Sequence, residues 1–263
     1  MPHPMLTMAV RAARAAGTVI SRATDHVADL TIESKQRNDF VSEVDRQAEH
    51  TIIDILKRAY PDHQFLGEES GDSGQPDSAY RWIIDPLDGT TNFLHSLPHY
   101  SVSIALEYQG RIELGVIYNP SNQELYTAER GGGAFLNNRR IRVAGLRNLE
   151  GALLGTGFPF RPEQDLDTYL KTFRALHGPL SGIRRAGSAA LDLAYVAAGR
   201  MDGYWEFGLK PWDIAAGVLM VREAGGVVVD FSGKEEFMTN GNLIAANPKI
   251  THAMLKAISQ SLL

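Results

Sequence analysis

The chain has 263 residues, 44% hydrophobic and 22% charged, and its 26 basic and 31 acidic side chains leave a formal charge of −5. That balance offers no broad basic field for nucleic acid, so direct DNA binding is not expected, although a local basic patch is compatible with it. Cysteine is absent, which excludes disulfides and thiol chemistry and fits a reducing compartment, so a cytoplasmic location is expected.

Residues 4–23 are predicted to form an amphipathic helix, with Leu6, Val10, Ala13 and Ile20 near one face. Arg11 and Arg14 interrupt its apolar run, so it cannot serve as a signal-peptide core. No stretch reaches the ~18 apolar residues of a membrane span. A second helix is expected over 42–60, with Ser42 as N-cap, a stripe of Val44, Ala48, Ile52, Ile55 and Leu56, and Pro61 ending it. HQFLGEES reads as a short strand running into a turn, and GDSGQPDS (71–78) as a polar loop. Strands are predicted at 81–85, 100–108, 111–119 and 123–129, followed by a hairpin over 131–143 turning at Asn137-Asn138.

The second half alternates between strands and helices. ALLGTG, GIRRAG, DGYWEF, VVVD and LIAA read as strands, and residues 163–177, 188–199, 211–226 and 248–261 as helices. The change in pattern divides the chain near residue 145. Residues 1–145 form an α+β part with a mainly antiparallel sheet, and 146–263 an α/β part. No Pro/Ser-rich linker separates them, so a shared core is expected.

The chemistry concentrates in DPLDGTTNF (85–93). Two carboxylates about 5 Å apart, at an effective dielectric of about 20, repel by roughly 3 kcal/mol. A cation or a shared proton could offset that. Pro86 biases Asp85 toward extended backbone, placing its carboxylate at a strand's carboxyl tip, where sheet enzymes commonly bind ligands. Gly89 lets a ligand approach the backbone, and the amides of a helical turn starting at Thr90 or Thr91 would suit phosphate. Acids that collect hard cations, followed by amides that collect phosphate, form a coherent pair. Oxygen donors without Cys point to Mg²⁺ rather than Zn²⁺.

Two further acids join them. Glu68 in GEES reads, taken alone, as part of a solvated turn. Asp213 in KPWDIAAG follows Pro211 near a helix N-terminus, where the macrodipole favours a carboxylate. One shared proton cannot neutralise four carboxylates, so the cation is preferred. Lookalikes fall away. GDSGQP lacks the rest of a serine protease. DPLDGT has two residues between its acids, where haloacid dehalogenase-type phosphatases have one. GGG (131–133) lacks the Lys-Ser/Thr of a P-loop. His95 and His99 flank Pro98 and read as turn or surface residues, Trp212 reads as packing, and Arg184-Arg185 as a strand-end or dimer-interface pair.

GEES, WIIDPLDGTTNF and WDIAAGVLMVREAGG occur in this order, and through them the chain resembles the inositol monophosphatase family, its bacterial members in particular, over nearly its whole length. The resemblance implies an α/β (α+β) fold, the five-layered α-β-α-β-α sandwich of the inositol monophosphatase/fructose bisphosphatase superfamily, active as a homodimer. It implies hydrolysis of inositol 1-phosphate by direct attack of water, dependent on two or three Mg²⁺ ions and inhibited by Li⁺. The implied metal ligands are Glu68, Asp85, Asp88, Asp213 and the Leu87 carbonyl. Thr90 would activate the water with Glu68, and Asp45 would orient Thr90. Gly89 and Thr90 would cradle the phosphate, and Asp88, Ala189 and Glu206 would contact the polyol. A further polyol contact falls near GTGFPFRP without an aligned position. Fructose 1,6-bisphosphate and nucleotide phosphates are alternative substrates within the superfamily. Some bacterial relatives also act in transcription antitermination and ribosomal RNA maturation. The resemblance therefore raises Nus factors and RNA polymerase as partners, with Arg184, Arg185 and Lys210 as candidate contacts.

Overall fold

The computed structural model describes residues 4–24, 32–36, 39–159 and 165–262. Helix α1 (Pro4–Ala23) is followed by the antiparallel hairpin β1 (Ile32–Gln36) and β2 (Asp39–Ser42), and then by α2 (Glu43–Ala59). Ser42, expected to cap α2, is the last residue of β2. Strands β3 (Gln64–Gly67), β4 (Gly71–Gly74) and β5 (Tyr80–Asp88) precede a short helix, α3 (Thr90–Leu94). Next come β6 (Ser101–Tyr108), β7 (Arg111–Asn119), β8 (Glu124–Glu129), β9 (Gly133–Leu136) and β10 (Arg139–Arg140). The expected turn between β9 and β10 is present, with Asn137 and Asn138 both at positive φ, a conformation that Asn tolerates better than most residues. Strands β3 to β10 form one eight-stranded sheet in the order β10-β9-β8-β7-β6-β5-β3-β4. Every neighbouring pair in it is antiparallel except β3 and β5.

The remaining elements are β11 (Leu153–Thr156), α4 (Leu166–His177), β12 (Gly182–Arg184), α5 (Ala189–Ala197), β13 (Gly203–Glu206), α6 (Pro211–Glu223), β14 (Val227–Val229), α7 (Phe237–Asn240), β15 (Leu243–Ala246) and α8 (Pro248–Ser261). Residues 163–164, where a helix was expected to begin, lie outside the described residues, and Asp165 caps α4 by accepting the Asp167 N–H. The second sheet is five-stranded, in the order β12-β11-β13-β15-β14. It is mixed: β11 runs parallel to β12 and β13, and β15 antiparallel to β13 and β14.

The layers follow from the alternation of side chains along each strand. In β5, Trp82 and Ile84 pack toward α1 and α2, and Ile83 packs the other way, toward α5 and α6. In β15, Leu243 and Ala245 face α5 and α6, while Ile244 and Ala246 face α4 and α8. The stack is therefore α1/α2, first sheet, α5/α6, second sheet, α4/α8, the five layers that the resemblance implies. The middle layer must be apolar all round because it is covered on both sides, and every residue of α6 from Ile214 to Val221 is buried. Among the described residues, no helix is long and apolar enough to cross a membrane.

Two sequence-based expectations require correction. Residues 71–78 are not all loop: Gly71–Gly74 form β4, paired with β3. The strand expected at 81–85 continues to Asp88, past a proline that has no N–H to donate.

The first sheet and the middle helices meet closely where β7 crosses α6. A Cβ on Gly115 would stand 2.9 Å from the Ala216 Cα and 3.0 Å from its carbonyl oxygen. Backbone on the far side cannot rotate away as a side chain could, so Gly115→Ala is expected to lower stability by about 1–3 kcal/mol. Gly145→Ala, with nothing within 4 Å of the added carbon, should stay within about 0.5 kcal/mol of the parent. Urea denaturation of both variants checks this, and equal midpoints would contradict it.

Candidate active site

The end of β5 is built by a β-bulge. Asp85 pairs with Ser103 and Asp88 with Ser101, so Pro86 and Leu87 together oppose Val102 alone. Ser101 and Ser103 lie two apart on β6 and share a face, so their partners Asp85 and Asp88 share one too. Without the extra residue, carboxylates three apart would point to opposite sides of the sheet. The bulge also explains how a strand contains Pro86: the residue sits where the ladder is interrupted and no hydrogen bond is forfeited. The Asp85 carboxylate accepts the Leu87 N–H at 3.0 Å, bracing the bulge from within.

Glu68 arrives from the neighbouring strand. Because β3 and β5 are parallel, with Gly67 beside Ile84, their carboxyl ends lie together, and the Glu68 N–H donates to the Ile84 carbonyl at 3.1 Å. Asp213 comes from the other side. It is the third residue of α6, and its carboxylate accepts the Lys210 N–H at 2.7 Å. Pro211 opens that helix, its missing N–H costing nothing at the first turn.

Gly89 has φ near 97°, and a Cβ there would stand 3.0 Å from the His99 carbonyl oxygen. Glycine is thus required by both conformation and space. It allows the chain to turn directly from β5 into α3. The Thr90 hydroxyl lies 2.9 Å from an Asp45 carboxylate oxygen and 3.1 Å from the Leu87 carbonyl. It has a single proton for these two acceptors.

These segments enclose a cavity of about 330 Å³. Glu68, Asp85, Leu87, Asp88, Gly89, Thr90, Ala189, Glu206 and Asp213 all line it. Asp45 stands behind Thr90, buried on α2. The structure thus gathers the residues that the resemblance implies for metal, water and substrate, while Arg184 and Lys210 stay outside the cavity lining.

It also brings in residues that sequence reasoning missed or misread. Ser188 caps α5, and its hydroxyl donates to Asp88 at 2.5 Å, beside the Ala190 N–H at 2.7 Å. The readable signal was GSAAL, an N-cap serine before an apolar run. Arg184 does end a strand, exposed, but Arg185 lines the cavity and stacks over Phe158. His99 is neither a turn nor a free surface residue: its Nε2 lies 3.6 Å from the carboxylate of buried Asp192, another cavity residue. Near GTGFPFRP, the cavity wall is Thr156 and Gly157, and a side chain on Gly157 would collide with the Glu206 carboxylate.

The electrostatics are those of crowded acids. Burial, followed by the charges of Glu68, Asp88 and Asp213, pushes the Asp85 carboxyl well above its ordinary range. Burial raises Asp88 to about 6 against the pull of the Ser188 and Ala190 donors. Burial raises Glu206 to about 8, although Tyr204 donates to it and Arg185 attracts it. Glu68, Asp85, Asp88, Asp192, Glu206 and Asp213 face one cavity, with Arg185 as the only cation lining it among the described residues. The cavity can hold these acids together if protons are retained or cations enter. The donor set suits a hard cation. It is all oxygen, and the mutual repulsion of Asp85, Glu68, Asp88 and Asp213 is charge that a cation would relieve more fully than one proton. Among the described residues, no group of three or more His, Asp or Glu stands ready-made around one ion position. The fit therefore rests on donor chemistry and convergence.

Residues 1–263 match the inositol monophosphatase family. The chain is 54% identical to the Nus factor SuhB of Pseudomonas aeruginosa over 99% of its own length and 97% of that protein's. It is 51% identical to the Nus factor SuhB of Escherichia coli K12, over 96% of this chain and 95% of that one. Among solved structures, it is similar to the extragenic suppressor protein suhB of Bartonella henselae, with a TM-score of 0.95, 50% identity and coverage of 98% and 99%. It is also similar to the Thermotoga maritima IMPase, with a TM-score of 0.88, 36% identity and coverage of 99% and 98%.

A pH dependence follows from the raised carboxyls. An acid whose folded-state pKa exceeds its unfolded value near 4 contributes stability that is complete below that value and is lost as pH rises through the folded one. For Asp88 and Glu206 those folded values are about 6 and about 8. The melting temperature of metal-free protein should therefore fall between pH 5 and pH 9. Added Mg²⁺ should raise it more at pH 8 than at pH 5.5. Thermal melts with and without chelator check this, and a curve indifferent to both pH and Mg²⁺ would contradict it.

Proposed function

The chain belongs to the inositol monophosphatase family, and from that premise we propose that it is a Mg²⁺-dependent phosphomonoesterase converting inositol 1-phosphate and water to myo-inositol and phosphate. As a member of this family the chain is a phosphatase of the superfamily. The observation that carries the finer reading is the convergence of Glu68, Asp85, Asp88 and Asp213 on one cavity beside the Gly89–Thr90 turn.

In this reading, the four carboxylates and the Leu87 carbonyl would hold two or three Mg²⁺ ions, and Li⁺ would inhibit. When bound, the ions supply charge neutralisation around the phosphate and lower the pKa of the attacking water. The protein's own groups do the positioning. Asp45 takes the Thr90 hydroxyl proton, which leaves the Thr90 oxygen lone pairs to orient a water molecule, with Glu68 as the group that accepts its proton. The Gly89 and Thr90 amides seat the phosphate. Asp88, the Ala189 amide and Glu206 receive the polyol hydroxyls, and Tyr204 holds Glu206 in place by donating to it. No covalent phospho-enzyme is required. Residues 1–145 would supply most of the cation ligands, and 146–263 would add Asp213 and the remaining polyol contacts. The active unit would be a homodimer.

Substrates with a second phosphate need a second cationic seat. Among the described residues, Arg185 is the cation lining the cavity, and it already faces Glu206 and Asp192. Fructose 1,6-bisphosphate and nucleotide phosphates are therefore expected to be poorer substrates.

Two substitutions test the site. Asp88→Asn and Asp213→Asn keep the acceptor oxygens that Ser188 and Lys210 use, yet each removes one charge. Turnover on inositol 1-phosphate should fall at least about 100-fold, the scale of losing one transition-state charge contact, with circular dichroism unchanged. Near-normal Mg²⁺-dependent phosphate release by Asp88→Asn would refute the assignment. Comparable rates on fructose 1,6-bisphosphate would undo the monophosphatase label.

A second reading is favoured by the relatives themselves, since those at 47–54% identity carry the name Nus factor SuhB. We propose that this chain also partners Nus factors and RNA polymerase. Arg184, exposed at the end of β12, and Lys210 are candidate contacts. If that role is separable from catalysis, the inactive Asp88→Asn variant should still be retained by immobilised Nus factors and should rescue a deletion strain. Rescue by active protein alone would count against it.

A further inference from the structure

Helix α2 carries two buried acids one turn apart, Asp45 and Glu49, and residues at that spacing share a helix face. Asp45 takes the Thr90 hydroxyl. Glu49, only 3% exposed, is directed at the turn between β3 and β4. Its two carboxylate oxygens accept the backbone N–H groups of Glu69 at 2.9 Å and Ser70 at 2.8 Å. Gly67 makes room for it: a Cβ there would stand 2.6 Å from the Glu49 carboxyl carbon. Burying a carboxylate is costly unless donors meet it, and here both oxygens are met.

The residue between these fixed points is Glu68. Its own N–H is held by Ile84, the neighbour of Asp85, at 3.1 Å. The next two N–H groups along the chain are held by Glu49. The backbone from which Glu68 reaches the cavity is therefore fixed on one side to the strand that carries Asp85 and on the other to α2. The same helix, one turn earlier, holds Thr90.

We propose that Glu49 is a positioning residue for the cation site. It sets the launch point of Glu68, and together with Asp45 it makes α2 the element that fixes the spacing between Glu68 and Thr90. This rests on reading Glu68 as a cation ligand. Glu49 itself touches neither substrate nor cation.

The test is Mg²⁺ binding by isothermal titration calorimetry, well below the melting temperature, on the parent chain and two variants. Glu49→Gln keeps the volume but turns an NH₂ toward one of the two N–H donors. Gly67→Ala leaves the carboxylate in the chain but displaces it from the turn, and serves if loss of the buried charge impairs folding. Both variants should weaken Mg²⁺ binding about 10–100-fold, the usual cost of removing a group that orients a ligand. The kcat at saturating Mg²⁺ should fall as well, because Glu68 also accepts the proton of the attacking water, while the KM for inositol 1-phosphate should be largely retained, because Asp88, Ala189 and Glu206 are untouched. Unchanged Mg²⁺ affinity in both, with only a lowered melting temperature, would overturn the inference, because the clamp would then serve the fold alone. A parent chain that takes up no Mg²⁺ would overturn the reading of the site and this inference with it, so the two failures are distinguishable.

Discussion

Like charges are held together in the cavity, and the rest of the molecule is arranged around that repulsion. Among the described residues, Glu68, Asp85, Asp88, Asp192, Glu206 and Asp213 share it with one guanidinium, Arg185. Carboxylates so placed would swing apart if their backbones allowed it. They are held by main-chain devices: the bulge that turns Asp85 and Asp88 to one face, the parallel pairing that brings Glu68 beside Asp85, and the first turn of α6 that carries Asp213. Helix ends help: Asp88 meets the N-terminus of α5, and Asp213 lies in the first turn of α6, where the macrodipole favours negative charge.

The layering explains why these devices meet at one point. The first sheet contributes the carboxyl ends of β3 and β5, and the middle helices α5 and α6 begin beside them. The cavity thus opens at a seam between layers whose interiors are closely packed. Small residues keep the packing close, Gly115 between the first sheet and Ala216 of α6, and Gly217 between α6 and Leu193 of α5 within the middle layer. A larger residue at such a position would shift the helix that carries Asp213, so packing and site geometry are coupled through α6.

Much of this was legible in the sequence because it rests on local rules. Helical periodicity located α1 and α2, an apolar run closed by Gly-Gly located α6, and the turns at Gly110 and Asn119-Pro120 marked off β6 and β7. The acids stood out because carboxylates flanked by Pro, Gly and Thr suit no simple structural role. Other features were hidden because they depend on partners distant in the chain. The bulge at Pro86-Leu87 exists only against β6. Strand β4 lacks apolar alternation, since GDSG pairs at an edge through its backbone. His99 looked like a turn residue until α5 brought Asp192 to it, 93 positions away. Arg185 differs from its exposed neighbour Arg184 only in that it lines the cavity, a distinction that no spacing rule contains. Glu49 resembled any other polar residue on a helix, because the N–H groups it meets lie 20 and 21 positions further on.

The central claim, that the clustered acids are a seat for divalent cations, is tested most directly by anomalous diffraction from crystals of this chain soaked in Mn²⁺, which has the oxygen preference of Mg²⁺ and scatters visibly. The account predicts a peak within coordination distance, about 2.0–2.5 Å, of the Glu68 and Asp85 carboxylates and the Leu87 carbonyl oxygen, with further density toward Asp88 and Asp213. A cavity without any peak at saturating Mn²⁺, or ions bound only elsewhere on the surface, would contradict it.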